Sequence, residues 1–97
     1  MTYEDLQLAL AEFDLPQQTT WKKIRDQHRL LVRRYHPDKG EYADGEKIRR
    51  INAAYKILSE YVGDYRFDFS REQFLEQSPE ERLREQFWNE NPWADDR

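Results

Sequence analysis

Tyr35-His36-Pro37-Asp38-Lys39 separates two runs of helical periodicity, and the fold follows from how those runs meet. Before it, Trp21, Ile24, His28, Leu31 and Tyr35 recur at three- and four-residue intervals among charged residues. This spacing predicts an amphipathic helix from Thr20 to Tyr35, capped by Thr19 or Thr20. Pro37 stops that helix, because its ring clashes with a helical predecessor. After it, Ile48, Ile51, Tyr55, Leu58 and Val62 repeat the pattern, flanked by Ala53 and Ala54, with Asp44 as candidate N-cap and Gly63 as the stop. Two matched stripes across a short connection imply an antiparallel helix pair with the tripeptide at its tip. Gly40, inside the connection, is available for a positive backbone angle.

Upstream, Thr2 and Asp5 mark a helix start, and Tyr3, Leu6, Leu10 and Phe13 share one face of a first helix ending near Phe13. That helix is expected to lie across the pair. Asp14 to Gln18 reads as a loop broken by Pro16, with Leu15 apolar enough to enter the core. Downstream of Gly63, Asp64 to Phe69 alternates polar and aromatic residues. No partner strand exists for it, so it reads as an extended segment laid on the helix pair. Ser70 with Gln73 predicts a short capped helix, and Ser78-Pro79-Glu80-Glu81 a stronger start for a last one. Leu83, Phe87 and Trp88 would line one side of that helix, Asn89-Glu90-Asn91-Pro92 would end it, and Trp93 stands alone beyond. The expected architecture is all-α: a helical hairpin with a shorter first helix in residues 1–63, and an acidic helical extension in 64–97.

At 97 residues the chain has room for one small core. It has no cysteine, which excludes disulfides and thiolate metal sites and agrees with a reducing, cytoplasmic setting. No apolar run approaches a membrane span, and Met1-Thr2-Tyr3-Glu4-Asp5 lacks the basic start of a signal peptide, so neither membrane nor export is expected. A net charge of -4 with 37% charged residues argues against a general nucleic-acid binder. The charge is uneven, however. Lys22, Lys23, Arg25, Arg29, Arg33, Arg34 and Lys39 crowd one segment opposed only by Asp26 and Asp38, while acid gathers after Gly63. The second helix thus offers a basic face suited to an acidic partner.

Pro37 holds His36 and Asp38 at a defined separation on an exposed turn. A carboxylate placed there is suited to bidentate pairing with a partner's arginine, and His36 both donates and accepts hydrogen bonds. Taken alone, such a tripeptide is ordinary turn chemistry. No nucleophile, metal-ligand cluster or phosphate-cradling glycine loop accompanies it, so neither catalysis, metal nor cofactor is expected. His28, the other histidine, lies on the helical seam and is open to two readings: packed residue or partner contact.

Together, Ile24, Leu31, Tyr35-His36-Pro37-Asp38-Lys39 and Ile51-Asn52-Ala53-Ala54-Tyr55-Lys56-Ile57-Leu58 resemble the J-domain, the DnaJ-type co-chaperone module, over roughly Leu6 to Val62. The combination is far more specific than His-Pro-Asp alone. The resemblance implies a module that binds a DnaK-type seventy-kilodalton heat-shock chaperone and speeds its ATP hydrolysis, hydrolysing nothing itself. It implies that His36, Pro37 and Asp38 form the signature loop, Asp38 reaching an arginine of the chaperone. Arg25 and Arg29 match positions facing the chaperone's acidic surface. His28 falls at a position that is often aromatic, and Lys22, Lys23, Arg33, Arg34 and Lys39 are auxiliary contacts.

The chain also departs from the family pattern. Leu30 follows Arg29 where a second base is common, Asp14 replaces a usual glycine after the first helix, and Ile48 replaces a frequent phenylalanine. With no Gly/Phe linker and no cysteine-rich zinc module in these residues, the chain resembles a minimal J-protein. Its extension is expected to pack on the J-domain, to dock a client through Leu83, Phe87, Trp88 and Trp93, or to cover the basic helix. The rival readings are a scaffold without stimulating activity and a nucleic-acid module using the basic helix.

Overall fold

A computed structural model of the chain describes residues 1–90, so Asn91, Pro92 and Trp93 of the expected terminus lie outside the described residues. All regular structure described is helical: α1 (Tyr3–Glu12), α2 (Trp21–Tyr35), α3 (Gly45–Asp64), α4 (Arg71–Gln77) and α5 (Pro79–Glu90). The chain divides into two compact units, Met1–Tyr65 and Arg66–Arg97.

In the first unit each helix begins where a side-chain oxygen meets orphan amide groups. Thr2 Oγ1 accepts from the Asp5 N–H at 3.1 Å while Asp5 accepts from the Thr2 N–H at 3.0 Å, a reciprocal capping box. Thr20 Oγ1 accepts from the Lys23 N–H at 3.2 Å, and Asp44 Oδ1 accepts from the N–H groups of Glu46 and Lys47. α2 and α3 run antiparallel. Trp21 stacks on Tyr55, His28 pairs with Asn52, and the Lys47 ammonium lies over Tyr35, so partners fall in number along α3 as they rise along α2.

The core is Ala9, Leu10, Phe13, Ile24, Leu31, Ile51, Ala54 and Leu58. Phe13 and Ile51 are fully buried, and truncating such a side chain typically costs about 2–5 kcal/mol. Trp21, Tyr35, Ile48, Tyr55 and Val62 are half-buried against that core, as is Leu15 from the loop.

Several local expectations are corrected. Tyr3 is 73% exposed, and Ala9 takes its place on the inward face of α1. Ala54 is buried but Ala53 faces outward. As expected, α1 packs on the helix pair, chiefly on α3, and beyond its end Gln27 Nε2 of α2 donates to the Phe13 carbonyl at 2.9 Å. Gly63 does not stop α3, which continues to Asp64 and is capped by the Tyr65 N–H on the Val62 carbonyl. Gly40 has no positive φ. Its requirement is space: a Cβ there would come within 2.5 Å of the Arg34 carbonyl oxygen and of the His36 nitrogen. The positive φ belongs to Asp14, at 53°.

The second unit is a short helical hairpin. Ser70 Oγ accepts from the Gln73 N–H to start α4, and Pro79 opens α5 where its missing N–H costs nothing. Arg71 of α4 pairs with Glu85 of α5, and Arg82 with Glu76 at 3.8 Å. The segment before α4 has no regular structure, and Phe69 within it is 93% exposed. Leu83 and Phe87 are exposed and Trp88 half-buried, the Phe87 and Trp88 rings meeting edge-on at 5.7 Å.

Candidate functional site

The solvent side of α2 carries the cations. Successive steps of three and four residues place Lys22, Arg25, Arg29 and Arg33 in one stripe, with Lys23 and Arg34 beside it, all exposed. Asp26 sits within that stripe, accepting from Lys22 Nζ at 2.8 Å and from Arg29 Nη2 at 3.0 Å. The Lys22 hydrogen bond, with Arg29 beside it, holds the Asp26 carboxyl below its ordinary range. Arg25 lies 6.0 Å over the Trp21 ring, which orients its guanidinium along the helix surface. Leu30 is 45% exposed, so the face is interrupted by one apolar side chain.

At the end of α2 the chain turns away at His36, with φ -59° and ψ 131°. The last carbonyls of a helix lack internal donors, and here the loop supplies them. Arg34 accepts from the Tyr42 N–H at 3.0 Å, Tyr35 from Asp44 at 3.0 Å, and His36 from Gly40 at 2.9 Å. The loop is thus folded back on the helix end, and the close approach at Gly40 is where the two backbones touch. His36 Nδ1 accepts from the Asp38 N–H at 3.1 Å, a bond that requires Nδ1 to carry no proton. This aims the ring inward along the turn. Pro37, Asp38 and Lys39 are exposed and His36 is half-buried.

His28 is placed among packing residues. Its ring stacks on Tyr55 with centroids 3.9 Å apart and planes 8° from parallel, and Nε2 lies 3.0 Å from Asn52 Oδ1. It is half-buried, with the Phe13 ring beside the pair, 6.1 Å from His28 and 6.3 Å from Tyr55. Of the eleven candidate residues, ten line the α2 surface or the tip, and His28 sits between the helices.

Sequence reasoning missed Glu12. Its Oε2 accepts from Lys47 Nζ at 3.1 Å and its Oε1 from Arg50 Nε at 2.8 Å, tying α1 to α3. Desolvation acts to raise the Glu12 pKa, but these two cations outweigh it and hold the carboxyl below its usual range. The signal was present as three charges on adjoining helices, but spacing within one helix does not reveal a pair across two.

Among the described residues, no group of three or more His, Asp or Glu side chains is arranged to hold a metal ion. A groove of about 510 Å³ between α1 and α3, bordered by Leu8, Glu12, Arg50, Ala53 and Ile57, contains none of the tip residues. No helix among the described residues is long and apolar enough to cross a membrane.

Comparison with known proteins bears on the region so described. The chain is 40% identical over 47 residues to the chaperone protein DnaJ of Dictyoglomus thermophilum, a match covering 47% of this chain and 12% of that protein. The likeness therefore spans about an eighth of the relative's length. No solved structure matches the chain. Residues 12–68, which include α2, the His-Pro-Asp loop and α3, match the model of the DnaJ domain, and the chain belongs to that family.

Proposed function

We propose that this chain docks on a DnaK-type seventy-kilodalton heat-shock chaperone and stimulates its ATP hydrolysis, supplying no catalytic group of its own. The observation that carries the reading is the continuity of the basic α2 stripe with an exposed Pro37-Asp38-Lys39 tip braced by three backbone hydrogen bonds. In this reading Arg25, Arg29 and Arg33 meet an acidic surface of the chaperone, with Lys22, Lys23, Arg34 and Lys39 adding to the field. Clustered exposed charges speed encounter more than they deepen affinity, so docking is salt-sensitive. Asp38 extends to an arginine of the chaperone, and the His36 ring holds the Asp38 backbone in register for that contact. His28 contributes by spacing α2 from α3.

The α4–α5 unit is the proposed adaptor for a protein client, a reading supported by the outward side chains of Phe74, Leu83 and Phe87. A cytoplasmic setting belongs to the same proposal.

Single-turnover ATP hydrolysis by a DnaK-type chaperone tests the reading. Wild-type protein is expected to accelerate it, and His36→Gln and Asp38→Asn to abolish the acceleration while remaining folded. Full stimulation by either variant overturns the proposal. Tight binding of labelled duplex or single-stranded nucleic acid at moderate salt would favour the rival nucleic-acid reading instead.

A further inference from the structure

We propose that Lys47 is a positioning residue for the His36–Asp38 loop, its ammonium group linking the end of α1 to the last residue of α2. The inference rests on the ATPase-stimulation reading above, and adds to it a residue on α3 that lies outside both the basic face and the tip.

The geometry forms a closed circuit at the base of the loop. Lys47 Nζ donates to Glu12 Oε2 at 3.1 Å and lies 5.6 Å from the centre of the Tyr35 ring. Its side chain is 22% exposed and that of Glu12 20%, so both heads are fixed among neighbours rather than waving in solvent. The other carboxylate oxygen is taken by Arg50 at 2.8 Å, so neither oxygen of Glu12 is left to swing away. At its backbone, Lys47 is bound to the other end of the same loop, because its N–H donates to the Asp44 side chain at 3.2 Å. The Asp44 N–H in turn donates to the Tyr35 carbonyl at 3.0 Å. One residue thus holds Tyr35, where the loop leaves α2, and Asp44, where it enters α3.

The consequence concerns direction. Pro37, Asp38 and Lys39 are exposed, so the direction of the tip depends on the backbone bonds that fold the loop onto α2 and on how firmly its two anchor points, Tyr35 and Asp44, are held. A cation over an aromatic face fixes the ring's plane, and partial shielding strengthens the attraction. Removing the ammonium takes one restraint from the Tyr35 ring, which keeps its packing on the core and on Tyr42, and so loosens the final turn of α2 while Phe13, Ile51 and the rest of the core stay packed. Lys47 itself is too enclosed to serve as one more docking cation.

The test separates positioning from general stability. Lys47→Met keeps the apolar stem and deletes the charge, whereas Lys47→Arg can still reach Glu12 and stack on Tyr35. At a temperature where circular dichroism shows all variants folded, Lys47→Met is expected to lower the maximal stimulated ATPase rate about five-fold, with the half-saturating concentration unchanged. Lys47→Arg should restore most of that rate. A full maximal rate in Lys47→Met, a change confined to half-saturation, or no rescue by arginine overturns the assignment.

Amide hydrogen exchange gives a second readout that needs no chaperone. Lys47→Met should speed exchange at Gly40, Tyr42 and Asp44 about five-fold while leaving Ile51 and Leu58 protected. Unchanged loop exchange overturns the assignment as well. If wild-type protein stimulates nothing, the functional reading falls, and the exchange pattern still decides whether Lys47 holds the loop.

Discussion

Asp14 is the residue whose backbone most plainly disagrees with its side chain. Its φ of 53° lies in the left-handed region, and it alone among the described non-glycine residues occupies positive φ. A side chain there costs on the order of 1 kcal/mol, somewhat less for aspartate than for bulkier residues. Asp14→Gly removes the steric cost but gives the unfolded chain more freedom, so the two effects nearly offset. The expected result is a stability gain of about 0.5 kcal/mol or none, whereas Asp14→Val should lose about 2 kcal/mol. Urea unfolding of the three proteins checks this, and a large loss in Asp14→Gly would assign the carboxylate a role beyond conformation. Such positions also mark where residue-level reading was strong and where it failed. The departure from glycine at Asp14 was visible in the sequence, and so was a special need at Gly40. That Gly40 is required by backbone contact with Arg34 and His36, not by its own angle, depends on a chain reversal that no local pattern encodes.

At the scale of elements, periodicity located α2 and the start of α3 because each has a cap, a stripe and a stop in adjacent residues. It placed Gly63 as a stop because glycine commonly ends helices, yet Tyr65 can still cap Val62 one residue beyond Asp64. The connection from α1 to α3 was not legible, since Glu12, Lys47 and Arg50 meet only once the helices have packed. That connection carries a pH prediction. The Glu12 carboxyl is held below its ordinary value of 4.5 by Lys47 and Arg50 against the opposing effect of burial. A depressed folded pKa contributes stability that is fully present above the unfolded value and is lost as pH falls through the folded one. At pH 7, Glu12→Gln should therefore be less stable by about 1 kcal/mol, allowing for the partial exposure of Arg50. The gap should begin to close below pH 4.5 and vanish once Glu12 is protonated in the folded protein. Paired unfolding curves at neutral and acid pH measure it, and a constant difference at both would remove the ion pairs as its cause.

For the whole molecule, the distribution of burial decides which part can stand alone. Every buried side chain among the described residues lies between Ala9 and Leu58, and α4 buries none. The first unit has its own core, three capped helices and a closed loop, whereas the second has two short helices joined by surface ion pairs that contribute little individually. A protein ending after Tyr65 is therefore expected to unfold cooperatively with a midpoint within a few degrees of the full chain. The cut belongs after Tyr65 rather than Gly63, because the Tyr65 N–H caps α3 and its ring packs edge-on to Tyr61 at 5.8 Å. The complementary peptide from Arg66 onward should show little helix in isolation, since helices of 7 and 12 residues are marginal without a core to pack on. Circular dichroism on both pieces tests the division. If the first piece were unfolded, the α4–α5 hairpin would be part of the core, and the expectation that an extension enlarges a small J-domain would be the better account. If the first piece folds and still accelerates the chaperone's ATPase, the basic stripe and the His-Pro-Asp loop suffice for the proposed activity. The α4–α5 unit would then be dispensable for that activity.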